Sequence, residues 1–153
     1  MNIIGIDPGL TGAVAIIGDY GINLIDMPVV AKSTRGKQVD GAALAQIFLE
    51  ERTRAFVYLE QVGAMPGQGV TSMFNFGHGY GIVQGVLYSL CIPFQLVTPQ
   101  KWKKHHGLIG KQKDMARTLC IQRHPELSGQ LKRKKDIGRA DALLIAEYGK
   151  SIQ

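Results

Sequence analysis

Apolar residues come in short blocks at the start of the chain and recur every three or four positions toward its end. NIIGID (2–7), AVAII (13–17) and INLIDM (22–27) are separated by DPGLTG and GDYG, turn-rich spacers that suit short antiparallel strands. The segment AKSTRGKQ (31–38) is polar and turn-rich. Asp40 can then cap a helix that buries Leu44, Ile47 and Phe48, and AFVYLE (55–60) has the composition of a buried strand. After the loop GAMPGQG, the stretch from Thr71 to Leu90 carries apolar residues at 73, 76, 80, 83 and 87, close to helical spacing. Glycines at 77, 79, 81 and 85 each cost a helix up to about 1 kcal/mol relative to Ala. They point to close approach by a second subunit or DNA, or to packing of the helix on a sheet. IPFQLV predicts a further strand, TPQKWKK a short helix, KQKDMARTLCIQR a longer one and RADALLIAEYG the last. Strands first, then strands alternating with helices, predict an α/β fold: one mixed sheet, its first three strands antiparallel, flanked by helices, in one domain over residues 1–153.

Charge sharpens this picture. The net charge is +6, and residues 98–139 hold twelve of the eighteen Lys and Arg against three acids, leaving the remainder net acidic. Such a concentration suits a phosphate-backbone partner, although a solvated basic face has the same composition. No apolar run approaches the ~20 residues that span a bilayer, and the N-terminus lacks the pattern of a signal peptide, so a cytoplasmic protein with no membrane partner is expected. Cys91 and Cys120 are too few and too far apart for a disulfide framework or a zinc knuckle and are expected to fill the core.

Four acids stand where local patterning asks for something else. Asp7 ends a strand of isoleucines, and Glu60 ends another after Phe56, Val57, Tyr58 and Leu59. A carboxylate in such a place is costly unless it is paired or bound to a metal. Asp141 is expected in the first turn of the last helix, with Asp136 in the lysine-rich loop before it. Singly, Asp7 could close an Asx turn and Asp141 could complement a helix N-terminus. Together they suggest hard oxygen ligands for Mg²⁺ or Mn²⁺ and phosphodiester hydrolysis without a covalent nucleophile. His78, His105, His106 and His124 lack zinc-ligand spacing.

IIGIDPGLTGAVAII, VYLEQV and GRADALLIAEY, in that order and separation, resemble the RuvC-type Holliday-junction resolvases over nearly the whole chain. EQVGAMPGQGVTSMFNFGHGYG and LVTPQKWKK resemble the compact phage-type branch, which would work in the host cytoplasm. The resemblance implies an RNase H-like fold, a homodimer, and cleavage of branched DNA, four-way junctions especially, by symmetric nicks with two Mg²⁺ or Mn²⁺ ions per site. It assigns metal ligands to Asp7 on the first strand, Glu60 on the fourth and Asp141 on the last helix. Many relatives carry Asp or His three residues before the last acid, where this chain has Gly138, and Asp136 is the expected fourth ligand and catalytic acid.

Lys113 matches a family lysine near the scissile phosphate. Lys101, Lys103, Lys104 and Lys111 are expected to line the approach of DNA, with Lys132, Arg133, Lys134 and Lys135 on the opposite side. Trp102, Phe74 and Phe76 are candidates for base stacking or for the core. The aromatic wedge of the family aligns with Gly63, so Met65, Met73 or Phe74 takes its place or the enzyme accepts varied branched DNA. An RNA-directed RNase H-like nuclease, an ATP-binding protein of the actin and sugar-kinase type, and a catalytically silent DNA-binding module are the competing classes. TSMFNFGHGYG argues against the first, the room for only one domain against the second, and the retained acids against the third.

Overall fold

The computed structural model describes residues 1–153. Strands β1 (Asn2–Asp7), β2 (Ala13–Gly18) and β3 (Gly21–Asp26) form an antiparallel meander. β6 (Ala55–Glu60) pairs parallel to β1, and β7 (Phe94–Val97) pairs parallel to β6, giving the sheet order β3-β2-β1-β6-β7. This is the mixed sheet anticipated from the sequence. A separate hairpin of β4 (Val29–Ala31) and β5 (Lys37–Val39) lies between the meander and α1 (Gly41–Leu49), spanning the stretch 31–38 expected to be turn-rich. Its strands, VVA and KQV, have three residues each, too short to show a period.

Alternation along the strands divides the core in two. Ile4, Ile6, Val57 and Leu59 face α1 and α2 (Val70–Ser89), whereas Ile3 and Tyr58 face α6 (Ile137–Ser151) with α3 (Pro99–His105) and α4 (Met115–Arg123) beside it. The cap at Asp40 forms as expected, its carboxylate accepting from the Ala43 N–H at 3.0 Å. A 3₁₀ turn (Pro125–Leu127), the single turn α5 (Ser128–Leu131) and a second 3₁₀ turn (Lys134–Asp136) lead into α6. Because α6 begins at Ile137, Asp141 falls in its second turn rather than its first. Cys120 is buried as expected, but Cys91 is exposed. At φ 53°, Cys91 takes the left-handed conformation just beyond the end of α2, a place glycine usually fills.

The sheet and α6 meet without an intervening side chain at Gly5. A Cβ there would collide with the Ala142 carbonyl oxygen and the Ala146 backbone nitrogen. Gly138 does the same at the start of α6, against the Thr11 carbonyl oxygen and Gly12. Arg139 anchors this end laterally, its guanidinium donating to both oxygens of Asp26 at 2.6 and 2.9 Å and to the Gln130 carbonyl at 3.0 Å. Gly5→Ala should therefore destabilise the fold by about 1–3 kcal/mol through overpacking. Urea unfolding, with Gly63→Ala in open space as the control, checks this.

Candidate active site

Strand parity decides where the acids point. In β1, Asp7 shares the face of Ile3 and Gly5; in β6, Glu60 shares the face of Phe56 and Tyr58, and both faces look toward α6. The parallel register pairs Ile6 with Leu59, so the two carboxylates leave adjacent strands at the same edge. Asp141 comes to that edge from α6. All three line one cleft of about 710 Å³, with the loop Gln61–Met65, Thr98–Gln100, Phe76, Lys103 and Lys113 on its walls.

These acids are short of compensating charge. Burial raises the Asp7 carboxyl above its ordinary value, partly offset by the Gly9 N–H, which donates to Oδ1 at 3.2 Å, and by Lys113 and Lys103. Burial also raises Glu60, and the Trp102 indole N–H, donating to Oε1 at 2.9 Å, works against that. Asp141 is pushed up to about 7, first by burial and then by the charges of Asp7 and Glu60, with Lys103 and Lys113 too weak to restore it. Outside the cleft the pattern reverses: Arg139 holds Asp26 low and Arg117 holds Asp114 low.

Three half-buried carboxylates facing two ammonium groups favour either a retained proton or a bound cation. The donor set, oxygen only, fits a hard divalent ion. The three side chains line the cleft without closing around a single point as a complete ligand set. Asp7 and Glu60 each hold one oxygen in a hydrogen bond and have the other unengaged by protein donors.

Asp136 is not brought to this cleft. Its side chain is 2% exposed and is gripped by Arg133, whose backbone N–H donates at 2.9 Å and whose guanidinium donates at 2.8–3.2 Å. That pairing holds its pKa below the usual carboxylate range. Nor does another side chain stand three residues before Asp141, since Gly138 is packed against the Thr11–Gly12 backbone. The acids assembled at the cleft number three.

The basic residues divide similarly. Lys103 and Lys113 reach the cleft, and Lys111 joins them and Asp141 around an adjoining hollow of about 260 Å³. Lys101 and Lys104 are exposed on α3, and Lys132, Lys134 and Lys135 are exposed near the turn before α6. Arg133 is also exposed but engaged with Asp136. Trp102 belongs to the core, fully buried, while Phe74 is 74% exposed and Phe76 stands on the cleft wall. Sequence reasoning missed the bond from Trp102 to Glu60. A buried indole requires an acceptor, but nothing in the local pattern says which one.

No protein-family profile matches the chain. Over 97 residues, 60% of the chain, it is 35% identical to the chloroplastic Holliday junction resolvase MOC1 of Chlamydomonas reinhardtii. The matched region spans 10% of that protein's length. Among solved structures, Thermus thermophilus RuvC aligns with a TM-score of 0.57 at 13% identity, covering 99% of this chain and 96% of that one. RuvC of the same organism in complex with a Holliday junction substrate gives 0.57 at 16% identity, with the same coverage. The yeast mitochondrial Holliday junction resolvase Ydc2 gives 0.59 at 14% identity, covering 95% of this chain and 75% of that one. The chain thus has the RNase H-like fold of the RuvC-type resolvases. The fold resemblance inferred from the sequence is borne out.

The elevated Asp141 pKa makes a prediction for the metal-free protein. Below its unfolded value, about 4, the group is protonated in both states. As pH rises from there toward about 7, only the unfolded chain releases the proton, so the wild-type fold is progressively penalised. Asp141→Asn should gain stability relative to wild type across that interval and hold the gain at higher pH. Urea unfolding in EDTA at a series of pH values checks this, and a pH-independent difference would count against it.

Proposed function

We propose that the protein is a structure-selective endodeoxyribonuclease that resolves four-way DNA junctions, and related branched DNA, by paired symmetric nicks with divalent metal. The observation carrying the proposal is the cleft itself: Asp7, Glu60 and Asp141 stand together, half-buried and without an arginine partner, beside lysines able to meet phosphate. Those three residues would hold two Mg²⁺ or Mn²⁺ ions. When bound, such ions lower the pKa of a water nucleophile and stabilise the leaving oxygen of a phosphodiester. Lys113 and Lys103 face the same acids and supply positive charge where a transferring phosphate becomes more negative. Lys101, Lys104, Lys111, Lys132, Lys134 and Lys135 give affinity and register along the backbone without reading sequence. Asp136 keeps Arg133 and the turn before α6 in place, which supports a structural role for it rather than a ligand role.

Symmetric cutting of a junction requires two sites related by a two-fold axis, and α2 offers the contact. Val70, Phe74, Gly77, Gly81, Gly85 and Tyr88 recur at intervals of three and four along one helix face and are all exposed. Added Cβ atoms at Gly77, Gly81 and Gly85 would meet nothing, which leaves that face open to a second copy. A phage genome as the source of the junctions would put the enzyme in the host cytoplasm.

Asp7→Asn, Glu60→Gln and Asp141→Asn should each lower junction cleavage by about a thousand-fold or more, as loss of transition-state charge stabilisation does, while retaining junction binding in EDTA. Asp136→Asn should cleave at close to the wild-type rate once folded. End-labelled junctions, linear duplex and an RNA–DNA hybrid, tested in parallel, separate these outcomes. Preferred cutting of the hybrid would favour an RNA-directed nuclease, and tight junction binding without cleavage a silent module. Phe74→Glu should shift the protein to monomer in sedimentation analysis and convert paired nicks to single ones.

A further inference from the structure

Trp102 is the only tryptophan of the chain, and its side chain is fully buried. Hydrophobic packing would explain the ring alone. Its nitrogen does something more specific, donating to Glu60 Oε1 at 2.9 Å across forty-two positions of sequence. A buried indole N–H must find an acceptor, and here that acceptor is a carboxylate of the cleft rather than a backbone carbonyl. The bond occupies one Glu60 oxygen and leaves the other unengaged by protein donors.

The helix carrying Trp102 is itself fixed at its far end. His106, just beyond α3, lies with Nε2 2.8 Å from the Leu144 carbonyl oxygen and Nδ1 2.9 Å from Arg123 Nη1. A carbonyl only accepts and a guanidinium only donates, so these partners assign the proton to Nε2. Leu144 is one turn beyond Asp141 on α6, which ties the support of Glu60 to the helix that carries Asp141. The Lys103 ammonium lies 5.2 Å from the Trp102 ring centroid, within cation–π range. One side chain thus contacts an acid of the cleft through its nitrogen and a base of the cleft through its ring.

We infer that Trp102 is a positioning residue for metal binding: its indole N–H fixes the rotamer of Glu60 so that the free oxygen is presented together with Asp7 and Asp141. This inference rests on the metal-dependent reading of the cleft. Hydrogen bonds of this kind orient a ligand before the ion arrives, and their loss typically weakens metal affinity by about ten- to a hundred-fold.

The single tryptophan permits a clean test. Trp102→Phe removes both N–H and ring volume and could fail to fold, so biosynthetic replacement by 3-benzothienylalanine, which puts sulfur in place of the N–H, is the sharper variant. Mn²⁺ binding, followed by the EPR signal of free ion, should weaken about ten-fold or more in the substituted protein. Junction binding in EDTA should remain at the wild-type level, and cleavage should recover as Mn²⁺ is raised. In wild type, Mg²⁺ should shift the Trp102 fluorescence, and Glu60→Gln should abolish that shift. Unchanged Mn²⁺ affinity in the substituted protein overturns the positioning role while leaving the metal-dependent reading intact. Failure of the wild-type protein to bind Mn²⁺ overturns that reading, and the positioning role with it.

Discussion

Direct contact between α6 and β1 at Gly5 is the constraint on which the cleft depends. With a side chain at that position the helix would stand further from the sheet, and Asp141 would move away from Asp7 and Glu60. Gly138 extends the close contact to the turn after β1, and Arg139 holds the same end of α6 to β3 through Asp26. Backbone proximity therefore brings together three carboxylates that repel one another. Their elevated proton affinities come first from burial, to which the charge of Asp7 adds at Glu60 and the charges of Asp7 and Glu60 add at Asp141, and the packing of the surrounding sheet and helices sustains the arrangement.

The same chain treats four of its other acids differently. Asp26, Asp114 and Asp136 are each paired with an arginine that lowers the carboxyl pKa, and Glu51 is paired with Arg54 and Asn2. Arginine is the side chain suited to closing such pairs, with its rigid fork of donors. The cleft instead faces Lys103 and Lys113, point charges that engage none of the three acids in a salt bridge. A site built for stability alone would pair these acids as Asp26, Asp114 and Asp136 are paired. Leaving them unpaired at a solvent-accessible edge suits a cation and a phosphate that arrive from outside.

Much of this was legible because a carboxylate that ends an apolar strand is a local anomaly. Asp7 after Ile3-Ile4-Gly5-Ile6 and Glu60 after Phe56 to Leu59 stood out as acids closing apolar strands, and the motifs around them and the last helix named the three acids of the cleft. Asp136 looked equivalent to them in sequence, but its fate depends on Arg133 three residues earlier, a pairing that linear spacing does not distinguish from solvation. The β4–β5 hairpin escaped notice because three-residue strands carry no period, and Cys91 because a left-handed residue after a helix is usually announced by glycine. The bond from Trp102 to Glu60 joins distant segments through tertiary packing alone, beyond what any local pattern records.

Anomalous diffraction from crystals soaked in Mn²⁺ tests most directly whether the unpaired acids exist to hold metal. Anomalous density in contact with Asp7, Glu60 and Asp141 is the result this account predicts, with Asp136 still bound to Arg133. Density confined to other acids, or an empty cleft at Mn²⁺ concentrations that support cleavage, would contradict it.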